Sequence, residues 1–336
     1  MKRTLRFLSL PKVVSGASIV SAIEGEGPIG DCFDIVAEDD KMGLDSFEKA
    51  ELQFFENAVR LCCDKAGMHK GELNVLLAGD LLNQLITANY GARNLGIPFL
   101  GLYGACSTMA ESLLVGSVLV DGGYCSPVAC IAGSHFSTAE RQYRYPLEMG
   151  TTSPPTAQRT VTGAGCLMLA SAPPPKPVFS HICVSAATIG KVIDLGITDA
   201  NNMGACMAPA ACDTLLTYFG ETNESVDDFD WIITGDLGKF GSEMLFSLCG
   251  RHDLDLSGKH LDCGCLIYPP EEKYNCGGSG CGCSAVTLAG HFLPMLERGE
   301  VKRILFLATG ALMSPTSNLQ GESIPAIAHA IVLEYH

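Results

Sequence analysis

The order of secondary-structure elements repeats on the two sides of a proline-rich segment, and this repeat constrains the fold more than any other sequence feature. Residues 173–177 contain four prolines, which cannot lie inside a helix or a central strand, so we interpret the segment as a linker. The separation along the chain from Cys106 to Gly133 equals that from Cys283 to Gly310. Each stretch runs from a turn through a helix and a glycine-containing turn to a buried strand. The chain is therefore predicted to consist of two similar halves.

The two halves, residues 1–172 and 178–336, are both predicted to alternate strands with helices. Hydrophobic residues make up 47% of the 336 residues, which is enough apolar surface for a large buried core. Predicted helices cover 45–65, 83–95, 108–120, 206–219, 241–248 and 284–296, and predicted strands cover 73–78, 98–103, 128–132, 163–172, 178–188, 231–234, 303–308 and 324–334. This alternation favours parallel strands with helices on both sheet faces, and ligands then gather at the carboxyl ends of the strands. Those ends are the turns at Asp80, Cys106, His135, Gly235 and Ser279.

Charge and cysteine content exclude several classes of function. The chain has 22 basic and 37 acidic residues, and its net charge of −15 argues against binding of nucleic acid or of anionic lipid. The amino terminus lacks the apolar core of a signal peptide, so the 16 cysteines indicate a reducing, cytoplasmic compartment. The cysteines between 263 and 283 contain no C-x-x-C pair, and no phosphate-binding loop or nicotinamide fingerprint is present. We therefore expect neither a metal site nor a cofactor.

Four short motifs link the sequence to a known family. They are YGACSTM at 103–109, GSHFSTAERQYR at 133–144, PPTAQRTVTGAG at 154–165 and GGSGCGCSA at 277–285. The buried strands around these motifs resemble the thiolase fold, in particular its beta-ketoacyl synthase III branch, over nearly the whole chain. Together the four motifs resemble those of the stage V sporulation protein AD (SpoVAD) family.

This resemblance implies a five-layered α-β-α-β-α arrangement of two α/β halves related by a pseudo-twofold axis. It also implies a sporulation protein that binds dipicolinic acid, alone or as its calcium chelate, and supports its uptake into the forespore with the other SpoVA membrane proteins. We further expect a homodimer in the forespore or spore, lying peripherally on the spore inner membrane. Two alternatives stay open: an acyltransferase or condensing enzyme, and a structural partner of the SpoVA proteins with a vestigial pocket.

Cys106 is the strongest candidate for chemistry. A thiol at a helix amino terminus meets exposed N–H groups and the positive end of the helix dipole, which lower its pKa and make it nucleophilic. The matching cysteine of condensing enzymes accepts the acyl group, although a small residue in a tight turn would also suit this position. Those enzymes carry a histidine after a second-half strand, whereas here Gly235 follows the strand 231–234. Asn275 or Ser279 falls at their next catalytic position. The missing histidine argues against condensation.

Three arginines suggest a site for a planar dicarboxylate. Arg141, Arg144 and Arg159 lie close together along a chain with few basic groups. Guanidinium groups bind carboxylates through paired hydrogen bonds and stack on rings such as those of Tyr143 and Tyr145. The alternatives are ion pairs with neighbouring glutamates or a subunit interface. The further candidates for ligand binding are Asp80, Cys106, Ser107, His135, Gln158, Asn275 and Ser279.

Overall fold

Helices and strands alternate along the chain, and a computed structural model describes them over residues 2–144, 146–149, 153–270 and 274–336. Tyr145, one of the aromatic residues noted beside the arginines, lies outside these residues. The helices are α1 (Ala22–Gly25), α2 (Phe47–Lys65), α3 (Ile86–Leu95), α4 (Thr108–Asp121), α5 (Phe136–Tyr143), α6 (Met203–Thr222), α7 (Gly238–Gly250), α8 (Cys263–Ile267), α9 (Cys281–Thr287), α10 (Leu293–Glu297) and α11 (Pro315–Leu319). The strands are β1 (Thr4–Arg6), β2 (Lys12–Val20), β3 (Ile35–Val36), β4 (Val75–Gly79), β5 (Phe99–Gly101), β6 (Val128–Ser134), β7 (Arg159–Thr160), β8 (Gly163–Ala170), β9 (Ile182–Thr188), β10 (Trp231–Thr234), β11 (His260–Asp262), β12 (Gly278–Ser279), β13 (Arg303–Ala311) and β14 (Ala326–Tyr335).

The two halves have the same strand order. It is β5-β4-β6-β8-β2 in the first half and β11-β10-β13-β14-β9 in the second. The first three strands of each series are parallel, and the last two are antiparallel to their neighbours. The proline-rich segment 173–177 connects β8 to β9, and the two series join where Lys12 of β2 pairs with Cys183 of β9. This repeated order is the structural counterpart of the repeat in the sequence.

Helices and strands form five layers. Helices α2 and α3 cover the outer face of the first-half strands, and α6 and α7 cover the outer face of the second-half strands. Helix α4 lies between the halves, where it contacts β4 and β6 on one side and β13 and β14 on the other. Within β6, Cys130 faces this central layer and Ile131 faces the outer one, so both faces of the strand are buried. The α-β-α-β-α order expected from the resemblance is confirmed. Within the described ranges, no helix combines the length and apolar character that a membrane span requires.

One expectation about the strands was wrong, and the central strand β2 was not predicted. Fully parallel pairing fails at β8 and β14, because the chain reverses direction after β6 and after β13 and so pairs antiparallel strands. Strand β2, which adjoins both halves, was not predicted because Ser15 and Ser18 interrupt its apolar pattern. In the structure the Ser15 hydroxyl donates to the Cys62 carbonyl oxygen at 2.8 Å, and the Ser18 N–H donates to Asp34 at 2.9 Å. Distant partners thus satisfy the polar groups of this buried strand.

Candidate functional site

Cys106 lies in a tight turn between β5 and α4. Ser107 closes this turn, because its N–H and its hydroxyl both donate to the Gly104 carbonyl oxygen, at 3.0 and 2.7 Å. Ala105 has a left-handed backbone with a φ of 50°, which is uncommon for a residue with a side chain. Gly310 of β13 lies against the turn, since a Cβ atom there would be 2.2 Å from the Gly104 carbonyl oxygen. The glycine found in the sequence repeat is therefore needed for the close approach of β13 to the cysteine.

Asp236 lies close to the Cys106 thiol. It follows β10 and is fully buried. Its carboxylate accepts hydrogen bonds from the Gly280 N–H at 2.9 Å, the Ser279 hydroxyl at 3.2 Å and the Thr309 hydroxyl at 2.8 Å. Three donors therefore converge on one buried carboxyl group, whose charge acts on the Cys106 thiol.

This arrangement keeps Cys106 protonated. Burial raises the pKa of the Cys106 thiol well above its usual value, and the negative charge of Asp236 raises it further. Burial also raises the pKa of Asp236, to about 6, against the opposing effect of its hydrogen bonds from Gly280 and Thr309. The position before α4 was expected to favour the thiolate, but burial, with a smaller contribution from the neighbouring carboxylate, outweighs that effect.

A cavity of about 40 Å³ opens beside Cys106. This volume is smaller than that of typical small-molecule sites, about 300–1,000 Å³, so an organic ligand requires the lining side chains to move apart. The polar part of its lining consists of Cys106, Tyr143, Arg144, Thr160 and Ser279, and the apolar part consists of Leu81, Ala105, Ala139, Met203, Ala311 and Met313. These residues come from both halves of the chain, so the cavity lies at their junction. Nowhere among the described residues do three or more His, Cys, Asp or Glu side chains form a group suited to a metal ion.

Arg144 brings a positive charge to this cavity. Its side chain is only 7% exposed, and its Nη1 donates to Glu140 Oε2 at 2.9 Å, one turn earlier in α5. Its Nε is buried and has no hydrogen-bond partner in the part of the chain that the structure describes. A buried donor of this kind needs an acceptor, which a ligand in the cavity can supply.

The three arginines are separated in the structure and do not form one cluster. Arg141 forms an ion pair with Glu48 on the surface, and 44% of its side chain is exposed. The guanidinium of Arg159 lies 3.9 Å from the centre of the Phe136 ring. Of the arginines in the predicted site, the structure therefore brings Arg144 to the cavity beside Cys106.

His135 and Asp80 lie outside the cavity and hold backbone segments in place. His135 is fully buried, and its Nδ1 accepts a hydrogen bond from the Ser137 N–H at 3.1 Å, which caps α5. Its Nε2 lies 2.7 Å from a backbone carbonyl oxygen, and burial lowers its pKa. Asp80 accepts hydrogen bonds from two N–H groups of the following segment, both at 2.8 Å. The hydrogen-bonding groups of these two side chains are thus taken up by backbone groups of the protein itself.

The other predicted ligand residues line the cavity or lie on its supporting turns. Ser279 lines the cavity, and Ser107 closes the cysteine turn. Gln158 Nε2 donates to two backbone carbonyl oxygens, both at 2.7 Å, and so ties the turn after β10 to β12. Asn275 lies in a left-handed turn with a φ of 47° ahead of β12. Ser279 and Cys106 thus meet at the cavity, and Gln158 supports the turns behind them.

Asp236 was not predicted as a site residue. In the sequence, its turn stood out only because the histidine of condensing enzymes is absent from the position next to it. One signal was available, because Asp236 follows a strand end at the same edge of the fold as Cys106, where ligand sites form. Met203 and Met313 were also missed, because each comes from a segment far from the motifs.

The fold and the site define a class of protein. Two halves of equal strand order, with a cysteine before the central helix at their junction, are the features of a thiolase-fold protein. The 3-oxoacyl-[acyl-carrier-protein] synthase III of Aquifex aeolicus VF5 matches with a TM-score of 0.58 at 12% identity, over 97% of this chain and 100% of that one. A variant of Xanthomonas campestris OleA matches with a TM-score of 0.61 at 12% identity, over 98% of this chain and 100% of that one. At such low identity these matches show the shared fold alone.

The family within this class follows from sequence comparison. A model of the stage V sporulation protein AD family matches residues 1–334. Stage V sporulation protein AD of Bacillus subtilis strain 168 is 45% identical over 322 residues, which are 96% of this chain and 94% of that protein. The chain therefore belongs to the stage V sporulation protein AD family and is a sporulation protein. The resemblance recognised from the four motifs is confirmed.

Proposed function

We propose that the chain is a binding protein for dipicolinic acid, which it holds in the cavity beside Cys106 and helps to move into the developing spore with the other SpoVA proteins. The sporulation role follows from the family, and the ligand is the one that the resemblance implies. One observation carries the proposal: the cavity beside Cys106 has apolar walls and a buried guanidinium, that of Arg144.

A planar aromatic dicarboxylate suits such a cavity. Arg144 offers a buried N–H donor to one carboxylate, and a charge-assisted hydrogen bond of this kind is stronger than a neutral one. Leu81, Met203 and Met313 offer apolar walls for the ring, and methionine side chains adapt readily to its shape. The proposed ligand residues are therefore Cys106, Tyr143, Arg144, Thr160 and Ser279. This set leaves out the other residues predicted from the sequence, which are Asp80, Ser107, His135, Arg141, Gln158, Arg159 and Asn275.

Cys106 is proposed to shape the site and not to react. Acyl transfer needs a thiolate or an adjacent base. Burial instead holds the pKa of the Cys106 thiol well above the usual value, and the negative charge of Asp236 raises it further. Acyl transfer stays the second candidate function, because this cysteine lines a cavity before α4 in a fold shared with a synthase III.

Calorimetric titration of the full chain with dipicolinic acid tests the proposal, with acetyl-CoA and malonyl-CoA as competitors. We expect one ligand per chain, no competition by either CoA ester, and binding retained in Cys106→Ala. Mass spectrometry after incubation with the CoA esters should show no adduct on Cys106. Stoichiometric acylation followed by turnover, with no binding of dipicolinic acid, would establish the acyltransferase function instead.

We also propose that the chain is a homodimer that docks peripherally on the SpoVA membrane proteins at the spore inner membrane. Strand β5 supports the dimer, because it lies at the edge of the first-half sheet and its central residue, Leu100, is exposed. An edge strand presents unpaired backbone groups that a second copy can pair with. Docking on the SpoVA proteins follows from the family resemblance, and pull-down of the chain with each of them is the test.

A further inference from the structure

The cavity beside Cys106, here called the inner cavity, must open before it can hold an aromatic ligand. Its volume is about 40 Å³. One water molecule needs about 10–15 Å³ on the same measure, so the inner cavity has room for a few waters and not for an aromatic ring. The question is therefore which part of its wall moves.

A second cavity lies directly behind one wall of the inner cavity. This surface cavity has a volume of about 260 Å³ and lies between the segment 80–85, the end of α5 and the segment 312–315. Its lining includes exposed residues, so it is open to solvent. Four residues line both cavities and form the wall between them, which are Leu81, Ala105, Tyr143 and Met313. Once joined, the two cavities reach the lower limit of small-molecule sites, about 300 Å³.

Tyr143 and Met313 are the wall residues best placed to move. Ala105 lies in the Cys106 turn and has only a methyl side chain. Leu81 lies in a fixed backbone segment, because the N–H of the next residue donates to Asp80 at 2.8 Å. Tyr143 is the last residue of α5, Met313 lies two residues beyond β13, and both are half-buried. The unbranched side chain of methionine adapts readily to a change in its surroundings.

The Tyr143 hydroxyl can leave its hydrogen-bond partner without leaving that partner unsatisfied. It donates to the Leu81 carbonyl oxygen. The same oxygen accepts a hydrogen bond from Gln142 Nε2 at 2.8 Å, and the Gln142 side chain is itself held, because its Oε1 accepts from the Asn83 N–H at 3.0 Å. A buried carbonyl with no partner would be costly, but here Gln142 remains bound when Tyr143 turns away. The released hydroxyl is then free to donate to a ligand.

The charges of the two cavities favour passage inward. Among the described residues that line the surface cavity, the charged one is Asp80, and its carboxylate accepts hydrogen bonds from two backbone N–H groups. The inner cavity instead contains the guanidinium of Arg144. A dicarboxylate therefore meets a positive partner in the inner cavity and not in the surface cavity.

We infer that Tyr143 and Met313 form a gate through which the ligand passes from the surface cavity to the inner cavity. The two side chains turn aside, and the cavities join. The Tyr143 hydroxyl exchanges the Leu81 carbonyl oxygen for a carboxylate of the ligand, and this charge-assisted hydrogen bond is stronger than the neutral one that it replaces. The inference rests on the proposed function for the identity of the ligand, whereas the gate can be tested without that ligand.

Alkylation of Cys106 reports the opening of the gate. Cys106 is only 4% exposed, so iodoacetamide reaches it from an opened cavity. The sulfur bonds to the reagent's carbon, iodide leaves, and the thiol proton passes to the buffer. The full chain is incubated with the reagent at one mildly alkaline pH, and mass spectrometry of its peptides gives the rate at Cys106. The fully buried Cys130 in β6 is measured in the same samples and reports unfolding of the whole chain.

Two gate variants should accelerate the alkylation of Cys106. When opening and closing are fast, the rate follows the population of the open state. Tyr143→Phe keeps the ring and removes a hydrogen bond, which changes such a population by about two- to tenfold, so the rate should rise by that factor. Met313→Ala shortens the other gate side chain and should also raise it. Neither variant should change the rate at Cys130. Tyr124→Phe changes an exposed tyrosine that lines neither cavity, so it should leave both rates at the parental values.

Dipicolinic acid connects the gate to the proposed function. Bound ligand should protect Cys106 from iodoacetamide in the parent, because it fills the opened inner cavity. Surface plasmon resonance on the immobilised full chain should show faster association with Tyr143→Phe, because the gate is open more often. Dissociation should also be faster, because the ligand loses the hydroxyl donor.

The outcomes separate the gate from the proposed function. If dipicolinic acid protects Cys106 but neither gate variant accelerates its alkylation, the gate is overturned and the binding function stands. Acceleration by Met203→Ala and by neither gate variant would place the entrance at α6 and overturn the gate, as would equal acceleration at Cys106 and Cys130 in both gate variants. Acceleration at Cys106 but not at Cys130, without protection by dipicolinic acid, supports the gate and contradicts the proposed function.

Discussion

Arg144→Gln tests whether the buried guanidinium holds the ligand. The substitution keeps a polar side chain with N–H donors but removes the charge. A hydrogen bond to a charged group contributes about 1.5–3 kcal/mol, which corresponds to roughly ten- to hundredfold in affinity. Because the Arg144 side chain is only 7% exposed, solvent screens this interaction weakly, and the full range applies. Calorimetric titration with dipicolinic acid should therefore show binding at least tenfold weaker.

The same substitution also leaves Glu140 without its ion-pair partner. The Glu140 side chain is 15% exposed, so an unpaired charge there destabilises the folded state. The double variant Glu140→Gln, Arg144→Gln separates the two effects. Its melting temperature should recover towards that of the parent, whereas its affinity for dipicolinic acid should stay low.

Arg141→Gln is the matched control, because Arg141 lies in the same short helix and also pairs with a glutamate. Its side chain is 44% exposed, and exposed ion pairs contribute little. Affinity for dipicolinic acid should stay within about twofold of the parent, because the free energy of one exposed ion pair is small. If Arg144→Gln binds as tightly as the parent while Arg141→Gln binds tenfold more weakly, the assignment of the two arginines is wrong.

Three further predictions concern packing, pH and assembly. Gly310→Ala would place a methyl group 2.2 Å from the Gly104 carbonyl oxygen, so its melting temperature should fall; Gly220→Ala, with no atom within 4 Å, should show no loss. The folded-state pKa of Asp236 is raised to about 6, so its contribution to stability is complete below the usual aspartate pKa and is lost as pH rises through about 6. Thermal melts should therefore show a smaller pH-dependent loss for Asp236→Asn than for the parent. Leu100→Lys should convert the proposed dimer to a monomer in light scattering; a dimer that persists would exclude the β5 edge as the interface.

Elements with a local signal could be predicted from the sequence, and elements held by distant partners could not. Helix α2 was expected over 45–65 and covers Phe47–Lys65, because Ser46 is a sequence-visible cap and the apolar spacing is regular. Strand β10 has the predicted limits, since a short apolar run marks it. Strand β2 was missed because its serines find their partners far along the chain. Whether polar residues can lie in a buried strand depends on those partners, which the sequence of the strand itself does not show.

The same distinction applies to the candidate site. Cys106 and Ser279 could be expected at the cavity, because turns at strand ends gather on one edge of an α/β sheet. Arg141 and Arg144 could not be told apart, because they lie in one short stretch and the placement of α5 decides which of them reaches the cavity. Asp236 and Cys106 lie in different halves of the chain, so only the three-dimensional fold brings the carboxylate to the thiol.

The turn after β10 limits what the cysteine can do. The condensing enzymes that the chain resembles carry a histidine after this strand, which can accept a proton or bear a positive charge. Here Gly235 follows β10, and the next residue, Asp236, brings a buried carboxylate close to Cys106. Burial raises the pKa of the thiol well above its usual value, and the charge of Asp236 raises it further. The thiol then stays neutral, which disfavours acyl transfer. Burial and one carboxylate together thus account for the loss of nucleophilic character, which supports the proposed binding role over acyl transfer.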